Sequence, residues 1–219
     1  MKVIIPVAGI GTRLRPYTLK KAKPLVPVAG KPVLGHILDR IQKAGIKDIV
    51  FVVGWLGEQI KDYVEKNYEF NASYITQPEP KGQAHAIWTA KEFIDEPVLI
   101  WFVDTLSDAD IESVKKQGSN MVFVKEVDDP RRFGVVVTDE NKHVERFVEK
   151  PEKPESNLVN IGLYYIRDYK LMLDCIDELI TKNIQTKGEF YLVDAFSLMI
   201  SKGARFETKN VSVWQDWKA

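Results

Sequence analysis

The sequence predicts an α/β fold: a doubly wound, mainly parallel sheet with an embedded, more antiparallel subdomain. Two patterns carry that prediction. Through the first half, short apolar runs alternate with segments whose apolar residues recur every three to four positions, as expected of strands joined by crossover helices. In the second half, strand-like runs follow one another across short polar turns, and two helical stripes come after them. Size agrees: 219 residues, 45% of them hydrophobic, can bury one substantial core. The expectation is a single domain over 1–219, with a first half to about residue 120 and a second half from about residue 121.

The elements follow in order. Residues 3–7 read as a buried strand running into a Gly-rich turn. A helical stripe at Val33, Leu34, Ile37, Leu38 and Ile41 ends near Gly45. Residues 48–53 form the next strand, and Leu56, Ile60, Tyr63 and Val64 the next stripe. A strand over 72–76, a helix over 82–93 and a strand over 97–103 complete the first half, with Asp104 closing that last strand. The second half reads as strands over 121–127, 133–138, 144–149 and 161–166. One stripe then runs from Leu171 to Ile180, another from Tyr191 to Ile200, and a final strand covers 205–213. The two late stripes, with Cys175, read as core. In such sheets ligands gather at the carboxyl ends of the strands.

Composition excludes several classes of function. The chain carries 31 basic and 31 acidic residues, formal net charge zero, so nothing global favours nucleic acid or a membrane surface. One cysteine permits no intrachain disulfide and suits a reducing compartment. The N-terminal apolar run is too short for a signal peptide, and no run approaches the ~20 residues of a membrane span. The expectation is a soluble cytoplasmic protein. His36, His85 and His143 lack metal-ligand spacing, and His36 reads as structural.

The sharpest motif follows the first strand: Ala8-Gly9-Ile10-Gly11-Thr12-Arg13-Leu14, then Pro16 and Lys23-Pro24. Such a turn lets backbone N–H groups approach a phosphate, and Arg13 and Lys23 can neutralise its oxygens. Residues 1–38 hold seven Lys or Arg and no Asp or Glu, although the whole chain is neutral. A dinucleotide fingerprint would need a third Gly where Leu14 stands and an acidic residue earlier than Asp39, and no Gly-Lys-Ser/Thr run exists for a P-loop.

Gly11-Thr12-Arg13-Leu14 with Pro16 and Lys23-Pro24 resembles the sugar-1-phosphate nucleotidyltransferases. Matching segments follow in order: Gln77-Pro78 with Gly82, Ala84 and Ala86; Asp104; Pro130 and Phe133-Gly134; Glu149-Lys150-Pro151; Asn160-Ile161-Gly162; Gly188-Glu189; and Trp214 with Asp216. The resemblance spans essentially the whole chain. It implies a Rossmann-like fold of the nucleotide-diphospho-sugar transferase type, whose first half binds nucleotide and whose second half binds sugar. It implies NTP and sugar 1-phosphate as substrates and Mg²⁺ as cofactor, and leaves a homo-oligomer open.

By that resemblance, Ala8, Gly9, Gly11, Thr12, Arg13, Lys23, Gln77 and Gly82 bind nucleotide. Gly134, Glu149, Lys150, Asn160 and Glu189 bind the sugar phosphate. Asp104 and Asp216 hold the metal, and Arg13, Lys23, Asp104 and Lys150 carry catalysis. The chemistry fits these types: joining two polyanions needs positioning and charge neutralisation, and carboxylate oxygens suit Mg²⁺. An amide at Gln77 can pair with the imide edge of a pyrimidine, so UTP or dTTP is expected. Glucose 1-phosphate is the expected sugar by resemblance. A cytidylyltransferase acting on a phosphoalcohol, or a non-catalytic binding module, stays open as an alternative. Three departures from the family stand out: one fewer Gly in the first loop, Val103 where many members have Gly, and Trp217-Lys218-Ala219 after Asp216.

Overall fold

The computed structural model describes residues 1–116 and 118–216, without the side chains of Arg13, Lys115 and Lys116. Strand β1 (Lys2–Pro6) leads through a small hairpin, β2 (Pro27–Val28) and β3 (Lys31–Pro32), into helix α1 (Val33–Lys43). Strands β4 (Asp48–Val53), β5 (Asn71–Thr76) and β6 (Val98–Trp101) alternate with α2 (Gly57–Asn67) and α3 (Gln83–Thr89). Next come β7 (Thr105–Ser107), β8 (Asn120–Glu126), β9 (Gly134–Thr138), β10 (Val144–Glu149) and β11 (Leu158–Ile166). Helices α4 (Tyr169–Thr181) and α5 (Leu192–Ser201) precede β12 (Phe206–Asn210) and β13 (Trp214–Asp216).

Among the described residues, nine strands form one sheet with a path β10-β9-β11-β6-β1-β4-β5, and β8 and β12 branch from β11. β1, β4, β5 and β6 pair in parallel, and β2 pairs antiparallel with β3. β11 pairs antiparallel with β6, β8 and β9, and β9 with β10, while β12 runs parallel to β8. Successive residues of β1 point to opposite faces. Val3 and Ile5 join a core shared with α1 and α2, and Ile4 joins one shared with α3, α4 and α5. Helices therefore cover both faces, as the α/β prediction requires. No helix of the described residues is long and apolar enough to cross a membrane.

Local chemistry explains the boundaries. All five apolar positions of the α1 stripe are fully buried. The helix stops where Gly45 adopts φ 66°: Gly45 N–H donates to the Gln42 carbonyl and Ile46 N–H to that of Ile41, the two bonds of a Schellman cap. The helix expected over 82–93 is shorter. It ends at Thr89, whose hydroxyl donates back to the His85 and Ala86 carbonyls, and a 3₁₀ turn over Lys91–Phe93 replaces its last part. The strand expected over 97–103 stops at Trp101. The strand expected over 205–213 closes at Asn210, and the chain then enters β13. β2, β3, β7 and β13 have two or three residues each, too short to leave a periodic signal.

Candidate functional site

The carboxyl ends of β1, β4, β5 and β6 open onto one side of the sheet, and the Gly-rich loop leaves β1 there. Gly11 takes φ 69° at the start of a 3₁₀ turn over Thr12–Leu14. A Cβ on Gly11 would lie 3.0 Å from the Lys23 Cβ, so glycine is favoured by the left-handed backbone and by the tight contact with Lys23. Thr18 Oγ1 donates to the Gly11 carbonyl at 2.8 Å and pins the loop. Lys23 opens the third 3₁₀ turn, Lys23–Leu25, and its Nζ donates to Asp104 Oδ1. Arg13 lies in the Thr12–Leu14 turn, and its side chain falls outside the described part of the structure.

Asp104 sits in the turn between β6 and β7. There Phe102 N–H donates to the Gly162 carbonyl at 2.9 Å. The β7–β13 ribbon sets Asp216 opposite Thr105, the residue after Asp104. Trp214 anchors the ribbon: its indole N–H donates to Thr105 Oγ1 and its ring meets the Phe133 ring at 5.2 Å, edge-on. Trp217, which follows Asp216 in the sequence, lies outside the described residues. Asp104 and Asp216 both line a cleft of about 770 Å³. Among the described residues no cluster of three His, Cys, Asp or Glu could hold a metal. Two carboxylates are nonetheless the donor set that suits Mg²⁺, which keeps several waters and shares its shell with substrate phosphates.

The wall of that cleft also carries Gly134, Glu149, Lys150, Asn160 and Glu189. Gly134, Glu149 and Asn160 belong to the antiparallel strands β9, β10 and β11. A register shift between Asn160 and Tyr164, with Gly162 at φ 75°, bulges β11 beside the cleft. Asn160 is held at both ends: Nδ2 donates to the Gly134 carbonyl at 3.0 Å, and the buried Tyr164 hydroxyl donates to Oδ1 at 2.6 Å. Burial pushes the Tyr164 phenol far above its usual range, so it remains a donor. Lys150 Nζ lies 3.2 Å from Glu149 Oε1 and 5.9 Å from the Tyr191 ring centroid. Glu189 sits in a tight turn bonded in both directions to Thr186.

Gly134 makes this wall possible. A Cβ there would stand 2.2 Å from Asn160 Nδ2 and 3.0 Å from Glu149 Oε2. Gly134→Ala is therefore expected to push both side chains aside and raise the KM for the sugar phosphate expected from the sequence at least ~10-fold, and to lower the melting temperature, because a displaced Asn160 leaves the buried Tyr164 hydroxyl without its acceptor. Steady-state kinetics beside a melting curve decides it, and an unchanged KM would exclude the Asn160–Glu149 pair from binding.

A second pocket of about 270 Å³ adjoins the first and shares Lys23, Asp104 and Glu189 with it. Ala8, Gly9, Gln77, Gly82 and the buried Val103 line it. Gly82 has φ 104°, and a Cβ there would come within 2.6 Å of the Phe190 carbonyl, so no larger residue fits. Gln77 is 6% exposed. Its Nε2 donates to the Gly82 carbonyl at 3.3 Å and lies 2.9 Å from His85 Nδ1.

Every expected site residue whose side chain is described thus lines one of two adjoining pockets. Sequence reasoning missed Arg131, Arg132, Gln83 and Phe102, and took Tyr191 for core; all five line the larger cleft. Tyr191 precedes α5 as its N-cap. The Arg131-Arg132 doublet before Phe133-Gly134 was the available signal. Arg131 is clamped by Asp129 through bonds of 2.8 and 2.7 Å, which hold the Asp129 carboxyl down at about 2. His36 proves structural: Nε2 meets the Val28 carbonyl of the small hairpin at 2.9 Å.

The sequence pattern of the family described as Nucleotidyl transferase matches residues 2–217. The Bifunctional protein GlmU of Methanocaldococcus jannaschii is 36% identical over 217 residues, 99% of this chain and 51% of that protein. The UTP–glucose-1-phosphate uridylyltransferase AglF of Haloferax volcanii is 33% identical over 223 residues, 98% of this chain and 90% of that one. The chain thus spans about half the length of the first relative and most of the second. A solved UDP-glucose pyrophosphorylase complexed with UDP-glucose superposes with a TM-score of 0.85 at 22% identity, over 100% of this chain and 93% of that one. It shares the fold.

Proposed function

The chain belongs to the nucleotidyl transferase family, and we propose that it moves a nucleotidyl group from a nucleoside triphosphate to a sugar 1-phosphate. A phosphate oxygen of the sugar 1-phosphate attacks the α-phosphorus and forms the new P–O bond. The bond from that phosphorus to the bridging β-phosphate oxygen breaks, and pyrophosphate leaves with the electron pair. The observation that carries this reading is the continuity of the two pockets through Lys23, Asp104 and Glu189. A nucleotide in the smaller pocket would bring its phosphates to the boundary, where the second reactant arrives from the larger cleft.

Each residue's task follows from its place. The Gly9–Gly11 loop, with Thr12, offers close backbone to the triphosphate. Lys23 and Arg13 neutralise its charge. Lys150, Glu149, Asn160, Gly134 and Glu189 seat the sugar phosphate, which lowers the entropic barrier to attack. Asp104 and Asp216 would hold Mg²⁺, which supplies charge neutralisation on the phosphates when bound. UTP and dTTP are the favoured nucleotides, and glucose 1-phosphate the first sugar to test. A cytoplasmic setting fits such substrates.

Pyrophosphate release from ATP, GTP, CTP, UTP and dTTP, each against several sugar 1-phosphates, tests the reading. Pyrimidine nucleotides should lead, because a pocket closed by Gln77 and the Gly82 backbone leaves little room for a two-ring base. Comparable kcat/KM for GTP and UTP would contradict the base assignment.

A further inference from the structure

We infer that His85 is a positioning residue for base choice: its neutral Nδ1 holds the Gln77 amide with the carbonyl oxygen facing the smaller pocket, which selects a base with an imide N–H over cytosine. The inference rests on the transferase reading above.

The amide's orientation is set from two sides. The Gly82 carbonyl can only accept, so the group 3.3 Å from it must be the Gln77 NH₂. The same nitrogen lies 2.9 Å from His85 Nδ1. That ring atom must therefore accept, which places the imidazole proton on Nε2. Both amide hydrogens are then engaged, and Oε1 is the part of the amide left to a ligand in the pocket that Gln77 lines. One neighbour packs on the ring: His85 sits one turn from Trp88, their rings stacked at 6.1 Å and 26°. Burial, with the Lys81 ammonium nearby, pushes the imidazole below its usual range and favours the neutral ring.

Base choice follows from donor and acceptor matching. An acceptor facing the ring nitrogen between the two carbonyl positions receives a hydrogen bond from uracil or thymine. Cytosine has a lone pair on that nitrogen, so two acceptors would meet. A His85 that donated from Nδ1 would oppose this orientation, favouring a turned amide that presents NH₂ to the base but sets two carbonyl oxygens together at Gly82, and so would weaken the preference. His85 does not line either pocket and acts through Gln77 alone.

The test compares kcat/KM for UTP and CTP in the wild type, His85→Leu and His85→Asn, with glucose 1-phosphate as co-substrate. Leu fills the space without an acceptor, so the UTP-to-CTP ratio should fall at least ~10-fold, the worth of about one hydrogen bond. The sugar-phosphate KM should stay put. Asn places its carbonyl oxygen near the position of Nδ1 and should restore the ratio to within ~3-fold. An active His85→Leu enzyme with the wild-type ratio would overturn the inference. Nitrogen NMR of the wild-type imidazole gives an independent reading that needs no variant to fold: the inference requires the Nε2–H tautomer, and the Nδ1–H tautomer would refute it. A wild type that turns over no nucleoside triphosphate with any sugar 1-phosphate would sink the transferase reading, and one that turns over only purine nucleotides would sink the base assignment, whereas the tautomer would still decide the His85–Gln77 contact.

Discussion

Replacing Asp104 by Asn is expected to lower turnover at least ~100-fold while leaving the fold intact. The substitution keeps size and shape at a position whose side chain is 23% exposed, in a turn held by the Phe102–Gly162 bond and the β7–β13 ribbon. What it removes is charge. Asp104 lines both pockets and accepts from Lys23 Nζ. An amide there can still accept one hydrogen bond, but it gives a divalent cation a neutral oxygen and removes the carboxylate charge that Lys23 Nζ meets at that position. Turnover with saturating Mg²⁺, beside a melting curve, separates the effects. A variant that melts like the wild type and turns over like it would remove Asp104 from the metal.

Lys23→Ala should be about as severe, with kcat/KM for the nucleotide falling roughly 100-fold. The side chain is 18% exposed, with its stem packed over Gly11, so the ammonium stands between the Gly-rich loop and Asp104. Truncation removes a positive charge where two polyanions must meet and leaves Asp104 to repel them. Lys23→Arg should recover only part of the loss, because the broader guanidinium must fit against the tight contacts at Gly11. Equal rescue by Arg would mean that charge alone matters there. A loss confined to the sugar-phosphate KM would move Lys23 from the triphosphate to the other reactant.

The parallel half was legible because each of its signals is local. β4 has five buried residues out of six, and the α1 stripe has a strict period and a Gly stop. The phosphate loop was legible for a different reason: an acid-free, basic segment in a neutral chain is a charge anomaly with a place. Asp216 was harder. Its position depends on pairing Trp214 with Ser107, residues far apart in sequence, in strands of three residues that neither propensity nor period can reveal. Asn160 and Glu149 were readable only through resemblance, because polar residues in strands look solvated until the bulge at Gly162 and the absent side chain of Gly134 bring them into one wall. Tyr191 failed for the opposite reason: it begins an apolar stripe, yet the helix starts one residue later and leaves its ring beside Lys150.

Label transfer tests the central claim most directly. The protein is incubated with Mg²⁺, UTP labelled at the α-phosphate and glucose 1-phosphate, and the products are separated. The transferase reading predicts label in a UDP-sugar, with one pyrophosphate released for each molecule formed and none released when the sugar phosphate is omitted. Label released as UMP, or left in the triphosphate whatever nucleotide and sugar 1-phosphate are paired, would contradict it.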